Sequence, residues 1–291
     1  SVSALDKKTQ APKRKRSWRH GFQALCALLT NSYLIGFAQG KIYQGKGKTL
    51  CVPGLNCYSC PGAVGACPIG AFQAVLGSWN FKAPFYVAGF LVFVGAVMGR
   101  LVCGWLCPFG LIQELLHKIP FPKKIRTFRG DRLLRKAKYV IFVLFVVLLP
   151  LCLVDALGQG SPYFCKLLCP VGALEGGLPL VLLNKGLRAT TGWLYAWKMV
   201  LLGGTIVAAL VIYRPFCKYL CPLGAVYSLF NPVSLVRYRV DADACVSCGK
   251  CAKFCGMGCD PVKQANDLEC IRCGDCKRAC PTQAIHSGCR K

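Results

Sequence analysis

One four-residue word recurs through the chain and constrains its fold more than any other feature. It reads cysteine, proline, an apolar residue, glycine: Cys67-Pro68-Ile69-Gly70, Cys107-Pro108-Phe109-Gly110, Cys169-Pro170-Val171-Gly172 and Cys221-Pro222-Leu223-Gly224. Four residues before each of the last three stands another cysteine, Cys103, Cys165 and Cys217, whereas the first is preceded by Cys57 and Cys60. Proline is favoured in the first turn of a helix, where its missing N–H costs nothing. Each word therefore predicts a cysteine at a helix N-terminus, where the dipole stabilises a thiolate. Such a position suits an anionic iron–sulfur cluster.

Composition supports clusters over other uses of cysteine. There are 22 cysteines in 291 residues, but three histidines. The chain is too long and apolar for a small disulfide scaffold, and zinc pairs do not usually end in Cys-Pro. His20, His117 and His286 cannot supply axial pairs for several haems, and no C-x-x-C-H run is present. Dinucleotide and Walker fingerprints are missing too. The formal charge is +26. Four clusters of about −2 each would lower it to roughly +18. Much of the excess lies in Lys13-Arg14-Lys15-Arg16 and in Lys123 to Lys138, beside apolar segments. It reads as membrane-orienting charge and not as a nucleic-acid surface.

In chain order, residues 1–20 form a basic arm without an evident cleavable signal. Four apolar stretches follow, about 21–38, 83–99, 139–157 and 193–213, each near the length that crosses ~30 Å of hydrocarbon. The first is weakened by Gln23, Asn31 and Ser32, and Pro150 should kink the third. Lys and Arg number seven in the arm and nine from Lys118 to Lys138, against four and three in the alternate segments. The positive-inside rule then puts both termini in the cytoplasm. On this map Cys103, Cys107, Cys217 and Cys221 fall on the cytoplasmic side. Cys57, Cys60, Cys67, Cys165 and Cys169 fall toward the outer face, with Cys51 nearby. The pattern is a duplication, clearest between CPIGAFQ at 67–73 and CPVGALE at 169–175. The runs from Ala71 to Trp79 and from Val171 to Leu183 are too short to span and read as re-entrant or interfacial helices.

The C-terminal stretch, 238–291, is soluble in character. It holds Cys245-x2-Cys248-x2-Cys251-x3-Cys255 and Cys270-x2-Cys273-x2-Cys276-x3-Cys280-Pro281. This is the bacterial two-cluster ferredoxin spacing, in which the fourth cysteine of each run ligates the other cluster. One centre is assigned to Cys245, Cys248, Cys251 and Cys280, the other to Cys270, Cys273, Cys276 and Cys255. Gly256 replaces the usual proline, and Cys259 is an extra thiol that could stand in for Cys255. In the preceding domain, 21–237, one set is Cys103, Cys107, Cys217 and Cys221. The other is Cys67, Cys165 and Cys169, with Cys57 or Cys60 as fourth ligand and Cys51 as a further candidate. Cys26, Cys152 and Cys289 belong to no motif.

CGWLCPFG at 103–110, RPFCKYLCPLGA at 214–225 and the double ferredoxin motif resemble the membrane polyferredoxin family that includes NapH and the membrane half of NosR. The resemblance covers most of the chain from about residue 83. It implies about four transmembrane helices, cytoplasmic clusters, and electron transfer between a quinone pool or ferredoxin and an extracytoplasmic partner. The outer motifs, CYSCPGAVGACPIGA at 57–71 and CKLLCPVGALEGG at 165–177, go beyond the family's usual two Cys-x3-Cys-Pro turns.

The expectation is therefore a mainly α protein of the cell membrane: a four-helix transmembrane bundle built by duplication, plus an α+β two-cluster ferredoxin module. About four 4Fe-4S clusters would carry electrons from a cytoplasmic ferredoxin or dehydrogenase to an extracytoplasmic flavoprotein or reductase, with a flavin or quinone at a partner interface as a further candidate. No nucleic-acid partner is expected. The alternatives are a quinol dehydrogenase subunit, with Glu114, His117, Asp155 and Glu175 as candidate proton acceptors, and a redox-sensing or assembly protein.

Overall fold

The computed structural model describes residues 18–78, 84–122, 124–155 and 159–289. The Lys13–Arg16 run and most of the basic arm, Trp79, Lys82, Lys123 and the span ends at 83 and 156–157 lie outside the described residues.

Helices dominate, and each cysteine word starts one. Cys67, Cys107 and Cys221 are the N-caps of helices Pro68–Gly77, Pro108–Lys118 and Pro222–Phe230, with proline in the first turn. The word at Cys169 opens a helical stretch from 170 to 183. Ahead of the last three words stand single-turn helices, Leu101–Trp105, Tyr163–Leu167 and Pro215–Tyr219. They close in the same way. The N–H of Cys107, Cys169 and Cys221 reaches back five residues to Val102 O, Phe164 O and Phe216 O at 3.1, 3.0 and 2.9 Å. The duplication is thus a repeat of backbone hydrogen bonds as well as of letters.

The apolar stretches are shorter than expected. Among the described residues one helix, Trp193–Val211, is long and apolar enough to cross a membrane. The first stretch breaks at Asn31, leaving Arg19–Thr30 and a short Ile35–Gln39. Asn31 caps the first helix, its side-chain amide donating to Ala27 O at 3.0 Å. The second is the 15-residue helix Pro84–Met98, about 22 Å at 1.5 Å per residue. The third runs as Ala137–Ile141, a π-helical Phe142–Leu148 and Leu149–Cys152. A second π-helical segment, Gly172–Gly177, precedes Leu178–Leu183. Each π segment ends just before a proline, Pro150 or Pro179. Proline cannot donate to the carbonyl four residues back and its ring collides with it, and a widened turn moves that carbonyl away. The irregularity expected at Pro150 takes the form of this π segment.

The C-terminal unit pairs Val236–Val240 antiparallel with Ile285–Cys289, Tyr238 opposite Ser287, around two single-turn helices, Lys250–Phe254 and Asp275–Ala279. It is an α+β unit, and it is bolted to the helical part. Arg100, fully buried, donates to Glu269 Oε2 at 2.6 Å and to Leu268 O at 3.0 Å. Buried Lys138 pairs with Glu269, and Asn231 donates to Asp267 O and Cys270 O. Part of the 123–138 basic run therefore serves an internal joint: besides Lys138, Arg126 donates to Lys253 O, and Arg135 pairs with Asp131 at 2.6 Å.

Candidate functional site

The glycine of each word explains itself in three dimensions. Its amide donates to the N-cap thiol three residues back, from Gly70 to Cys67, Gly110 to Cys107, Gly172 to Cys169 and Gly224 to Cys221, the last at 3.3 Å. The word also lies against the other half of the duplication, and at Gly110 the missing side chain makes room for it. A Cβ at Gly70 would lie 3.7 Å from Cys165 Sγ, and one at Gly172 3.6 Å from Cys57 Sγ. At Gly110 it would lie 2.8 Å from Arg214 Nη1.

This packing draws the cysteines into four groups. Cys103, Cys107, Cys217 and Cys221 are buried and lie within electrostatic reach of one another. Cys57, Cys67, Cys165 and Cys169 interact likewise and line one cavity of about 490 Å³ with Lys48 and Lys198. Cys245, Cys248, Cys251 and Cys280 line a small pocket in the C-terminal unit. Cys255, Cys270, Cys273 and Cys276 form the fourth group. The structure separates the two candidates for the outer set: Cys57 lines the cavity, whereas the Cys60 thiol turns to Asn31 Oδ1 at 3.6 Å. Cys51 packs beside the core on a backbone bridge to Ala66 and lies outside the cavity lining.

The surroundings fit thiolate-bound anionic clusters. None of the 22 cysteines is in a disulfide. Among the described residues no group of His, Cys, Asp or Glu is drawn tightly enough for a single metal ion; a cubane, which takes its thiolates at separate corners, needs the wider spacing. Hydrogen bonds to sulfur tune a cluster, and besides the backbone amides two glutamine side chains at matching positions supply them. Gln113 donates to Cys217 Sγ at 3.2 Å while accepting from Phe216 N, and Gln73 donates to Cys165 Sγ at 3.4 Å while accepting from Phe164 N. Both stand six residues after an N-cap cysteine. The matching position after Cys169 is Glu175, whose carboxylate accepts from Cys57 N at 2.8 Å, and after Cys221 it is Tyr227. Two buried arginines cross between the halves. Arg100 Nη2 donates to Cys217 O at 3.0 Å, and Arg214 Nη1 donates to Cys103 O. Sequence reasoning missed these residues, although Arg-x-x-Cys before both inner turns and Gln at plus six were visible signals.

Glu114 and Cys259 take roles other than those considered from the sequence. Glu114 is 3 % exposed and is held by Arg19 at 2.6 Å, Arg214 at 2.9 Å and His20 at 2.8 Å. Burial opposes its ionisation, but Arg214 and Arg19 hold the carboxyl down to about 2, so it is a fixed anion and not a proton acceptor. His117 bonds Ala209 O at 3.1 Å. Cys259 lies beside Cys255 and hydrogen-bonds to it through its thiol and then its amide, which lowers the Cys255 pKa and marks Cys255 as the thiolate of the pair.

The two cysteine sets of residues 21–237, expected on opposite faces of a membrane, are neighbours. Both pack into one core, and a Cβ on Gly54, three residues before Cys57, would lie 3.1 Å from Cys107 Cα. The fourth group also touches the inner one: Gly104 lies so close to Ile271 O that no Cβ fits, and Trp105 Nε1 donates to Arg272 O at 3.0 Å.

Comparison with known proteins agrees with this chemistry. Residues 65–84, 83–129 and 194–239 match one 4Fe-4S binding domain family, and residues 265–286 match a second. The chain is 28% identical over 198 residues to an uncharacterized protein of Methanocaldococcus jannaschii, covering 67% of this chain and 74% of that one. It is 28% identical over 215 residues to YccM of Escherichia coli, an electron transport protein by name, covering 71% of this chain and 55% of YccM. Against the regulatory protein NosR of Pseudomonas aeruginosa it is 26% identical over 186 residues, 60% of this chain and 23% of NosR. No solved structure matches.

Proposed function

Because the chain is a NosR/NapH-like, ferredoxin-type 4Fe-4S protein, we propose that it is a membrane-embedded conductor carrying four clusters in series. Iron–sulfur electron transfer is supported by the 4Fe-4S binding domains this chain matches and by the name of YccM; the number of clusters, their order and the membrane are our reading. The observation that carries it is the continuity of the four quartets. Cys248 is exposed at one end. The quartets containing Cys251 and Cys276 share a small core. The Cys270 quartet is docked on the Cys103 turn, and the Cys103 quartet abuts the loop that carries Cys57.

When bound, each cluster supplies one-electron chemistry. The protein holds the thiolates, compensates their charge with buried Arg100 and Arg214, and keeps water from the middle of the path. The exposed edge at Cys245 and Cys248 is where a cytoplasmic ferredoxin or dehydrogenase would deliver electrons. The open cavity at Cys57, beside Lys48 and Lys198, is where an extracytoplasmic flavoprotein or reductase would receive them. The membrane reading is supported by the outward display of the apolar side chains of Phe85, Phe93, Val140, Val143, Trp193, Val200 and Val207. With helix 193–211 they would form a bundle of up to four spans over 21–237, termini cytoplasmic, with the ferredoxin module at 238–291.

Iron analysis tests the count. Four clusters require about sixteen iron atoms per chain, and a value under about twelve rejects the scheme. Cys57→Ser should cost one cluster's iron, and Cys60→Ser none. A second reading, quinol oxidation, has one observation in its favour. An apolar cavity of about 200 Å³ lies beside Leu106 and Pro108 of the inner turn, lined also by Cys26, Leu29 and Asn56. Asn56 Oδ1 has no hydrogen-bond partner among the described residues. Cluster reduction by a quinol, blocked by Leu29→Trp, would favour it.

A further inference from the structure

We propose that the segment Pro53–Cys57 is the junction of the two membrane sites and sets the reduction potential of each through one backbone N–H. The proposal rests on reading the Cys103 and Cys57 quartets as cluster sites. Three consecutive amides point in three directions. Leu55 N–H donates to the Cys107 thiol of the inner set. Asn56 N–H donates to the Cys67 thiol of the outer set. Cys57 N–H donates to Glu175 at 2.8 Å, while its own thiol belongs to the outer set. Two consecutive peptide units, joined at the Leu55 Cα, thus link a ligand of one quartet to a ligand of the other.

The segment is fixed on every side. Tyr227 OH donates to Pro53 O at 3.0 Å, and Asn56 Nδ2 donates to Thr30 O at 3.2 Å. Gly54 lies against Cys107 and Pro108, where a Cβ would be 3.1 and 3.3 Å from their atoms. Leu55 and Asn56 are 2 % and 1 % exposed, so water does not compete for their amides. Tyr227, itself fully buried, lies within electrostatic reach of Cys67, Cys103 and Cys107. A hydrogen bond to a thiolate sulfur favours the more negative, reduced state and raises the potential, and in a dry interior that effect is strong. In passing an electron along, the inner site is oxidised by one electron and the outer site reduced by one; no proton moves, and the bridge is unchanged.

Potentiometric EPR on the full chain in detergent or nanodiscs separates the two arms. Leu55→Pro removes the amide facing Cys107 and Asn56→Pro that facing Cys67, with Asn56→Ala as the control for the lost side-chain bond to Thr30 O. With iron content at the wild-type level, Leu55→Pro should shift the inner signal to lower potential and leave the outer in place. Asn56→Pro should do the reverse. Tyr227→Phe, which frees Pro53 O, should move both potentials and weaken the spin–spin splitting of the fully reduced protein. Two iron-loaded proline variants that leave both potentials at wild-type values overturn the junction, as does a pair that moves the same signal. Should the proline variants fail to load iron, unchanged potentials and splitting in Tyr227→Phe overturn it. Failure of the cluster reading looks different: wild-type protein would then show ferredoxin signals alone and about eight iron atoms.

Discussion

Replacing Glu114 by glutamine should destabilise the protein more than any other isosteric change outside the cysteines. Glu114 is buried and neutralises Arg19 and Arg214, which are 2 % and 0 % exposed. Glutamine keeps the shape and one acceptor oxygen but leaves two guanidinium groups without their shared anion. The folded-state drop of the carboxyl from 4.5 to about 2 corresponds, at 1.36 kcal/mol per unit, to about 3 kcal/mol. The cost of breaking a buried ion pair by removing one partner, about 3–5 kcal/mol, agrees. For a chain this long that is a fall of roughly 6–12 °C in melting temperature. The loss should reach the inner site, because Arg214 also holds Cys103 O and Arg19 holds Gly104 O at 2.8 Å. The assay is thermal unfolding of both proteins between pH 7 and pH 2, read by far-UV circular dichroism at matched cluster content. A group with a depressed folded pKa stabilises fully above its unfolded value and loses that contribution as pH falls through the folded one. The gap between wild type and Glu114→Gln should therefore hold above pH 4.5 and close between 4.5 and about 2. A variant melting within a degree of wild type at pH 7, or a gap that persists at pH 2, would refute the argument.

Three further outcomes follow from the same contacts. Gln113→Leu and Gln73→Leu each remove one N–H···S bond and strand a buried amide, of Phe216 or Phe164, at about 1–3 kcal/mol; redox titration should find the inner potential lowered in the first and the outer in the second. Gly104→Ala places a methyl against Ile271 O, and rapid-mixing kinetics should show all clusters present but transfer from the ferredoxin module to the inner site slowed. Cys259→Ala should retain the iron of the second ferredoxin cluster and lower its potential, whereas Cys255→Ser should lose that cluster, as read by iron analysis and EPR.

The chemistry of this protein is local, and so it was legible in one dimension. A cysteine before a proline specifies an N-cap thiol whatever surrounds it, because the helix start is set by backbone sterics and orphan amides within four residues. The ferredoxin spacings likewise bring Cys245, Cys248 and Cys251 together through short turns. Which distant cysteine completes each quartet, and where the quartets lie, is a matter of long-range packing. Cys57 and Cys60 are chemically alike and three residues apart, and only the cavity against Gly172 and Lys198 distinguishes them. The apolar stretches suggested two sets of clusters a bilayer apart. In the fold, Asn31 ends the first helix early, and Gly54 lets the outer loop lie on Cys107. The buried arginines and Glu114 could not be placed from the sequence either, since a charge is tolerated inside only if its partner, here 95 or 100 residues away, arrives beside it. The sequence by itself determined the thiols and their helix starts; the tertiary structure decided their grouping and brought the groups into contact.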